Sequence, residues 1–191
     1  MIKNNIAMTI AGSDSGGGAG IQADLKTFAS LGVYGTCVIT AVTAQNTLEV
    51  KDVEILSNEI IINQFEALIN DIYPDSIKIG MLGNPEVVVL ISKLLSQIKN
   101  VPIVLDPVMI AKSGDQLISD DAISKLKNNL IPLCRILTPN IPEAEVLSGI
   151  KITNRDDMIA ASTNILKLGP KYLLLKGGHL SGDPIDILFE E

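Results

Sequence analysis

The sequence is poor in aromatic residues and in cysteine. Aromatic residues make up 3% of the 191 residues and none is tryptophan, whereas 47% are hydrophobic, so the core must be aliphatic. The two cysteines, Cys37 and Cys134, lie far apart in apolar runs, which favours buried free thiols over a disulfide or a catalytic role. Free thiols fit a reducing compartment, and a cytoplasmic location is therefore expected.

Long hydrophobic runs and an excess of positive charge are also missing. No apolar run reaches the ~18 residues of a membrane span, and the run that follows Asn4 and Asn5 is too short for a signal peptide. The formal net charge is -7. An acidic surface argues against nucleic acid and anionic membranes as main partners. An anionic substrate therefore needs local help from a lysine, a metal ion or a helix end.

Short aliphatic runs alternate with amphipathic runs along the chain. The amphipathic runs predict helices, with caps at Asn58, Asn84, Ser119 and Thr153. The aliphatic runs predict strands at 6–10, 36–43, 76–79, 103–105, 135–137 and 172–175, and the start of another at 185–189. This alternation predicts one α/β domain over residues 1–191, with a mainly parallel sheet and helices on both faces.

A glycine-rich loop follows the first predicted strand and precedes an amphipathic run. Residues 11–20 read AGSDSGGGAG. Glycines let a backbone approach a ligand closely, and a helix start offers free N–H groups to an anion. The loop lacks the Gly-Lys-Ser/Thr end of a P-loop, and Ile21 stands where the dinucleotide fingerprint needs glycine. It either holds a small polar ligand or a phosphate, or it is only a tight connection.

Polar residues follow the predicted strands, at the edge of the sheet where α/β proteins bind ligands. Asp106 and Glu143 can hold Mg²⁺ directly or through water. Lys176 can neutralise phosphate, and Gln45 can read the edge of a heterocycle. Such a set suits phosphoryl transfer. Structural alternatives stay open: a turn at Asp106, a helix cap at Asn140, a favourable helix-start charge at Glu143, a solvated charge at Lys176 and a local backbone bond at Gln45.

Two further polar residues have open roles. His179 is the only histidine, and without a partner visible in the sequence a structural or loop role is favoured over that of a general base. Lys112, in the polar segment 111–115, either closes over a phosphate or is solvated.

Six segments together form a specific combination: TIAGSDSGGGAGIQAD at 9–24, ITAVTAQNT at 39–47, KIGML at 78–82, LDPVM at 105–109, TPNIPEAE at 138–145 and KGGH at 176–179. In these segments, and over essentially its whole length, the chain resembles the hydroxymethylpyrimidine/phosphomethylpyrimidine kinases of thiamine biosynthesis, which belong to the ribokinase-like superfamily. The resemblance implies the ribokinase-like α/β fold.

The resemblance also implies an activity and a set of site residues. The activity is the ATP- and Mg²⁺-dependent phosphorylation of 4-amino-5-hydroxymethyl-2-methylpyrimidine, and then of its monophosphate to the diphosphate. The implied pyrimidine-binding residues are Gly12, Gln45, Met81 and Val108, with Gln45 bonding the ring edge. The implied nucleotide and metal residues are Asn140 and Lys176 for the phosphates, and Asp106 and Glu143 for the metal. Members often pair as dimers, so a homodimer is expected, although no single stretch identifies its interface.

The sequence departs from the family in one respect. Members continue for several tens of residues and carry a later Gly-Thr/Ala-Gly-Cys element that forms the anion hole for the transferring phosphoryl group. That element does not occur among residues 1–191. No catalytic residue is therefore expected among these residues, and the fold is expected to lack its C-terminal part. Two alternatives to the pyrimidine kinase stay open: a pyridoxal/pyridoxine kinase, and a truncated, non-catalytic domain that binds the pyrimidine.

Overall fold

The structure is a computed structural model that describes residues 5–109, 119–180 and 183–191. In these residues one sheet has the strand order β3-β2-β1-β4-β5-β6-β7-β8. Its strands are β1 (Ile6–Asp14), β2 (Tyr34–Gln45), β3 (Val50–Ile55), β4 (Ser76–Ile79), β5 (Ile103–Leu105), β6 (Ile136–Leu137), β7 (Tyr172–Leu175) and β8 (Ile187–Glu190). The six inner strands pair in parallel, and the two edge strands pair antiparallel to their neighbours. The predicted mainly parallel sheet is confirmed.

Helices connect most of the strands. They are α1 (Gly20–Ser30), α2 (Asn58–Asp71), α3 (Pro85–Leu95), α4 (Asp120–Lys125), α5 (Ile141–Ser148) and α6 (Arg155–Leu166). After α4 the chain continues through a π-helical segment, Leu126–Leu130, and a 3-10 turn, Ile131–Leu133. The chain steps from β1 to β2 in one direction and from β4 to β7 in the other. Right-handed crossovers therefore place α1 and α3 on opposite faces of the sheet, as predicted.

The starts of two helices differ by one residue from the prediction. Ser57, and not Asn58, caps α2, and Asn154, and not Thr153, caps α6. At both places two residue types that cap helices stand side by side, so residue type alone does not show which of them precedes the helix. The helix starts predicted correctly are Asn84 for α3 and Ser119 for α4.

The core is aliphatic, as the composition predicts. Its largest fully buried side chains are Met8, Ile10, Ile61, Ile77, Ile79, Ile91, Leu95, Leu105, Met109, Leu130, Ile131 and Leu137. Both cysteines are free; Cys134 is buried as predicted, whereas Cys37 is only half-buried. Burial raises the pKa of the Cys134 thiol to about 12, so this thiol stays protonated and unreactive. No helix in the described part of the chain is long and apolar enough to cross a membrane.

Candidate active site

The sheet has a topological switch point between β1 and β4. From β1 the chain moves to β2 on one side, and it later returns to β4 on the other side of β1. In open α/β sheets, ligands bind in the crevice at such a point, outside the carboxyl ends of the strands. Two of the predicted pyrimidine residues lie there: Gly12 near the end of β1, and Met81 just after β4.

Gly12 and Met81 are in direct contact. The Gly12 N–H donates to the Met81 carbonyl oxygen at 3.0 Å. The hydroxyl of Thr40, a residue with no exposed surface, donates to the same oxygen at 3.0 Å. A Cβ atom on Gly12 would lie 2.7 Å from Met81 Cε, so a larger residue at position 12 would displace the Met81 side chain. Hydrogen bonds to the main chain of Met81 therefore fix these two residues relative to each other.

The glycine-rich loop is folded around a carboxylate of its own. The buried Asp14 side chain accepts N–H hydrogen bonds from Gly16 at 2.8 Å, Gly18 at 3.0 Å and Ala19 at 2.8 Å. These N–H groups are the donors that an external phosphate would need. Because the chain already uses them, the geometry favours the tight-connection interpretation of the loop over the phosphate-binding one.

The end of the loop requires glycine for a steric reason. Gly20, the first residue of α1, has φ +56°, and a Cβ atom there would run into the carbonyl oxygen of Gly12. From α1, the side chain of Gln22 accepts the Asp14 N–H at 2.8 Å and donates to Ser13 Oγ at 2.7 Å. The first turn of α1 is thus tied to the end of β1, next to the Gly12 contact.

Gln45 ends β2 with its side chain half-buried. The hydroxyl of Thr43 donates to the Ser13 carbonyl oxygen at 2.8 Å and lies 3.3 Å from Gln45 Oε1. Because a hydroxyl has one hydrogen, the shorter bond to Ser13 leaves the Gln45 contact weak. The amide of Gln45 thus remains available to a ligand, and within the described residues it makes no bond to the local backbone. We call the following residues the neutral cluster: Gly12, Thr40, Thr43, Gln45 and Met81.

Charged residues lie at the carboxyl ends of β5 and β7. Lys176 Nζ lies 2.9 Å from Asp106 Oδ1, and both side chains are about one-third exposed, at 37% and 31%. Thr138 after β6 donates its hydroxyl to the same Asp106 oxygen at 3.3 Å. Lys176 is therefore ion-paired as well as open to solvent, and an incoming anion can reach its ammonium group.

Asn140 and Glu143 form a reciprocal cap at the start of α5. Asn140 Oδ1 accepts the Glu143 N–H at 2.9 Å, and Glu143 Oε2 accepts the Asn140 N–H at 2.8 Å. The main chain of Asn140 is paired with Lys176 across the sheet, which sets the cap beside the ion pair. The predicted structural alternatives for Asn140 and Glu143, a helix cap and a favourable helix-start charge, are thus observed. We call the following residues the charged cluster: Asp106, Asn140, Glu143 and Lys176.

The Glu143 carboxyl, with 3% of the residue exposed, has a pKa above its ordinary value. Burial is the largest cause of the raised pKa, and the negative charge of Asp106 adds to it. The Asn140 N–H, the Lys176 charge and the Met109 backbone amide oppose the shift without cancelling it. A nearby cation would stabilise the charged form of Glu143.

The charged cluster fits one divalent ion better than a larger metal centre. The described residues contain no group of three or more His, Cys, Asp or Glu side chains that could hold a metal. Mg²⁺ is commonly held by one or two carboxylates, several waters and substrate phosphates, and therefore needs no third protein carboxylate. Asp106 and Glu143 could supply two such carboxylates.

Known proteins match this chain over most of its length. A sequence model described as phosphomethylpyrimidine kinase matches residues 14–191. The chain belongs to the phosphomethylpyrimidine kinase family. It is 46% identical over 186 residues to the hydroxymethylpyrimidine/phosphomethylpyrimidine kinase of Bacillus subtilis (strain 168), in a match that covers 96% of this chain and 69% of that relative. The chain spans 64% of the length of another such kinase, from Haemophilus influenzae, and 38% of the length of a thiamine biosynthesis bifunctional protein from Geobacter sulfurreducens.

Solved structures agree with the family. Phosphomethylpyrimidine kinase (thiD) from Clostridium difficile 630 matches with a TM-score of 0.93 at 53% identity, covering 98% of this chain and 81% of that chain. An ADP complex of Bacillus subtilis pyridoxal kinase matches with a TM-score of 0.87 at 36% identity, covering 98% of this chain and 71% of that chain. The ribokinase-like fold that the resemblance implies is confirmed.

In this phosphomethylpyrimidine kinase family member, Val108 lies two residues after Asp106 of the charged cluster. Its N–H donates to the Asp106 carbonyl oxygen at 2.9 Å, just after β5, and β5 lies between β4 and β6 in the sheet. His179 is exposed in the loop after β7, where the described residues give it no hydrogen bond, consistent with a loop role. Lys112 lies outside the described residues.

The sequence analysis missed the hydroxyl residues that support the neutral cluster. Thr40 and Thr43 lie in a strand that reads as apolar, and Ser15 lies in a loop whose glycines dominate its interpretation. A threonine inside an otherwise apolar strand was the available signal, because a buried hydroxyl needs a hydrogen-bond partner.

Proposed function

We propose that this chain binds 4-amino-5-hydroxymethyl-2-methylpyrimidine at its neutral cluster, as part of an ATP-dependent kinase that phosphorylates this alcohol and then its monophosphate in thiamine biosynthesis. The observation that carries the proposal is the contact between Gly12 and Met81 at the switch point of the sheet. It supports a small-molecule site where a family member is expected to have one.

Gln45 would read the polar edge of the ring. A glutamine amide offers one acceptor and two donors, and an aminopyrimidine edge offers an N–H donor beside a ring-nitrogen acceptor. Met81 and Val108 would provide apolar contact with the ring. Gly12 would allow Met81 to keep this position, because a Cβ atom at residue 12 would displace the Met81 side chain.

The charged cluster would serve ATP and Mg²⁺. Lys176 and Asn140 would face the nucleotide phosphates, and Asp106 and Glu143 would hold the metal directly or through water. The metal, when bound, supplies positive charge that neutralises the phosphates, which together with positioning is most of what phosphoryl transfer requires. The proposal assigns no catalytic residue among residues 1–191.

The proposal also covers the domain organisation, the oligomeric state and the location of the protein. Residues 1–191 would form a single ribokinase-like domain, two copies of the protein would form a homodimer, and the protein would work in the cytoplasm. The two free thiols support the last of these. The main partner would be the small pyrimidine rather than nucleic acid or a membrane, in keeping with the net charge of -7.

Pyridoxal is the second candidate substrate. The 36% identity and the TM-score of 0.87 with a pyridoxal kinase support pyridoxal as an alternative substrate. A non-catalytic pyrimidine-binding domain is the third candidate, since no catalytic residue is proposed among residues 1–191.

Calorimetric titration of the 191-residue chain with the aminopyrimidine alcohol, and separately with pyridoxal, tests the proposal. Tighter binding of the pyrimidine supports the substrate assignment, and tighter binding of pyridoxal replaces it. Mass spectrometry of the pyrimidine after incubation with ATP and Mg²⁺ then separates a kinase from a binding domain. A folded chain that binds neither compound contradicts the assignment of the neutral cluster.

A further inference from the structure

The main chain at Gln45 is not held by a regular sheet ladder. The parallel pairing of β1 with β2 ends at Asp14 and Thr43. On the other side of β2, the antiparallel pairing with β3 slips between Ala44 and Gln45. Beyond this slip Gln45 pairs with Val50. A bulge of this kind disrupts the ladder locally and can re-aim the neighbouring side chain.

A single side chain makes two hydrogen bonds with the main chain of Gln45. Ser15 Oγ donates to the Gln45 carbonyl oxygen at 2.6 Å and accepts the Gln45 N–H at 2.8 Å. A hydroxyl has one hydrogen to donate and lone pairs to accept with, so both bonds form at once. The Ser15 hydroxyl therefore takes the place of the next rung of the ladder between β1 and β2.

Ser15 is itself held by the glycine-rich loop. The Asp14 carboxylate that precedes it binds the N–H groups of the loop, and Gly16 follows it directly. A Cβ atom on Gly16 would lie 3.5 Å from the Gln45 carbonyl oxygen and 3.5 Å from Asn46 Cα, so the loop backbone lies against the end of β2. Ser15 is exposed, and its hydroxyl thus contributes to local geometry rather than to the core.

We propose that Ser15 is a positioning residue for the pyrimidine, which acts through Gln45 by holding that residue's main chain. The inference rests on the proposed function of Gln45. The glycine-rich loop then serves to place the residue that reads the ring, and its N–H groups serve to fold the loop. An amide that recognises a ligand must be held to within about 0.5 Å for its hydrogen bonds to form well. The weak contact between Gln45 and Thr43 alone does not hold the amide that closely.

The first test is a double-mutant cycle measured by calorimetric titration with the aminopyrimidine alcohol. We expect Ser15→Ala to weaken binding by about 5- to 10-fold, and Ser15→Thr, which keeps the hydroxyl, to restore it. In a Gln45→Ala background, Ser15→Ala should add nothing further. The matched control is Ser96→Ala, an exposed serine at the end of α3 whose hydroxyl donates to the Lys93 carbonyl oxygen.

The second test needs no ligand. Hydrogen exchange at the main-chain amide of Gln45 should be faster in Ser15→Ala by about 10-fold, and unchanged in Ser96→Ala, because the Ser15 hydroxyl accepts that N–H. Unchanged exchange at Gln45 overturns the inference whatever binds to the protein.

The two tests separate failure of the inference from failure of the proposed function. If Gln45→Ala leaves pyrimidine binding unchanged, Gln45 does not read the ring, and both the function proposed for Gln45 and the role of Ser15 that depends on it are wrong. If Gln45→Ala weakens binding but Ser15→Ala does not, only the inference fails. An equal loss from Ser15→Ala in both backgrounds also overturns it, because Ser15 would then act independently of Gln45.

Discussion

The neutral and charged clusters lie on the same edge of the sheet but are held in place by different forces. Hydrogen bonds from Thr40 and Gly12 to the Met81 carbonyl oxygen hold the neutral cluster, and none of these groups titrates. An ion pair and a buried carboxylate define the charged cluster. The neutral cluster thus depends on main-chain geometry, whereas the charged cluster depends on charge and contains a carboxyl group whose pKa is raised.

The largest effect is expected from Gly20→Ala, which damages the support of the neutral cluster. The added Cβ would meet the Gly12 carbonyl oxygen at a positive φ, so we expect a loss of about 3 kcal/mol or more in the free energy of unfolding. Gly32→Ala is the control: Gly32 has a positive φ but nothing near its Cβ position, and its cost should be about 1 kcal/mol. Urea unfolding measures both. Equal costs would show that the packing against Gly12 is unimportant.

Gln45→Ala should affect the two clusters differently. Loss of the two hydrogen bonds proposed between Gln45 and the ring should raise the Kd for the aminopyrimidine alcohol by about 10- to 100-fold. The Kd for MgADP should not change, because Gln45 lies at the end of β2, away from β5 and β7. Titration calorimetry measures both constants. Gln97→Ala, at an exposed position beyond α3, is the control, and a variant that binds the pyrimidine as well as this control contradicts the assignment.

Glu143→Gln should change the charged cluster alone. The substitution keeps an oxygen for the Asn140 N–H and removes one of the two charges proposed to hold the metal, so we expect the Kd for MgADP to rise about 10-fold. Pyrimidine binding measured by the same titration should stay constant. A loss of pyrimidine affinity as large as the loss of MgADP affinity would mean that the two clusters are not separate.

The pH dependence of stability tests whether the charged cluster contains a carboxyl group with a raised pKa. Because the pKa of Glu143 is raised in the folded state, the folded protein binds more protons than the unfolded chain between the ordinary and the raised pKa. The contribution of Glu143 to the free energy of unfolding therefore falls as pH rises through that window. In Glu143→Gln this decrease should be absent. Thermal unfolding across the acidic range measures it. An identical pH profile in the variant would contradict the raised pKa.

The smallest effect is expected at a buried threonine away from both clusters. Among the described residues, Thr36 Oγ1 is buried without a hydrogen-bond partner. Thr36→Val should therefore raise the free energy of unfolding by about 1 kcal/mol and leave both ligands' affinities unchanged. Thr40→Val on the same strand is the matched control. It removes a bond to Met81 and should lower both stability and pyrimidine affinity. Destabilisation by Thr36→Val would mean that its hydroxyl has a partner after all.

The sequence predicts the strands and helices that bury an aliphatic face, and it fails where that signal is weak. β3 was not predicted, because most of Val50–Ile55 is exposed and carries no buried alternation. The cap positions at Ser57 and Asn154 were missed by one residue because their neighbours cap equally well. The π-helical segment after α4 has no sequence signature that separates it from an α-helix.

The same limits apply to the candidate site. Strand-end position alone brings Asp106 and Lys176 together, and the structure places them 2.9 Å apart. The use of the loop N–H groups by Asp14 was not predictable, because a glycine-rich loop before a helix suits an internal carboxylate as well as an external phosphate. The role of Ser15 depends on where β1 and β2 stop pairing, and the register of the strands decides that.

The most direct test of the central claim is a crossed titration. Wild type, Gln45→Ala and Lys176→Met are each titrated with the aminopyrimidine alcohol and with MgADP. If each cluster binds its own ligand, Gln45→Ala should lose affinity for the pyrimidine alone, by about 10-fold or more. Lys176→Met should then lose affinity for MgADP alone, by a similar factor. Equal losses of both ligands in either variant would contradict the claim that a neutral cluster reads the ring and a charged cluster holds the phosphates.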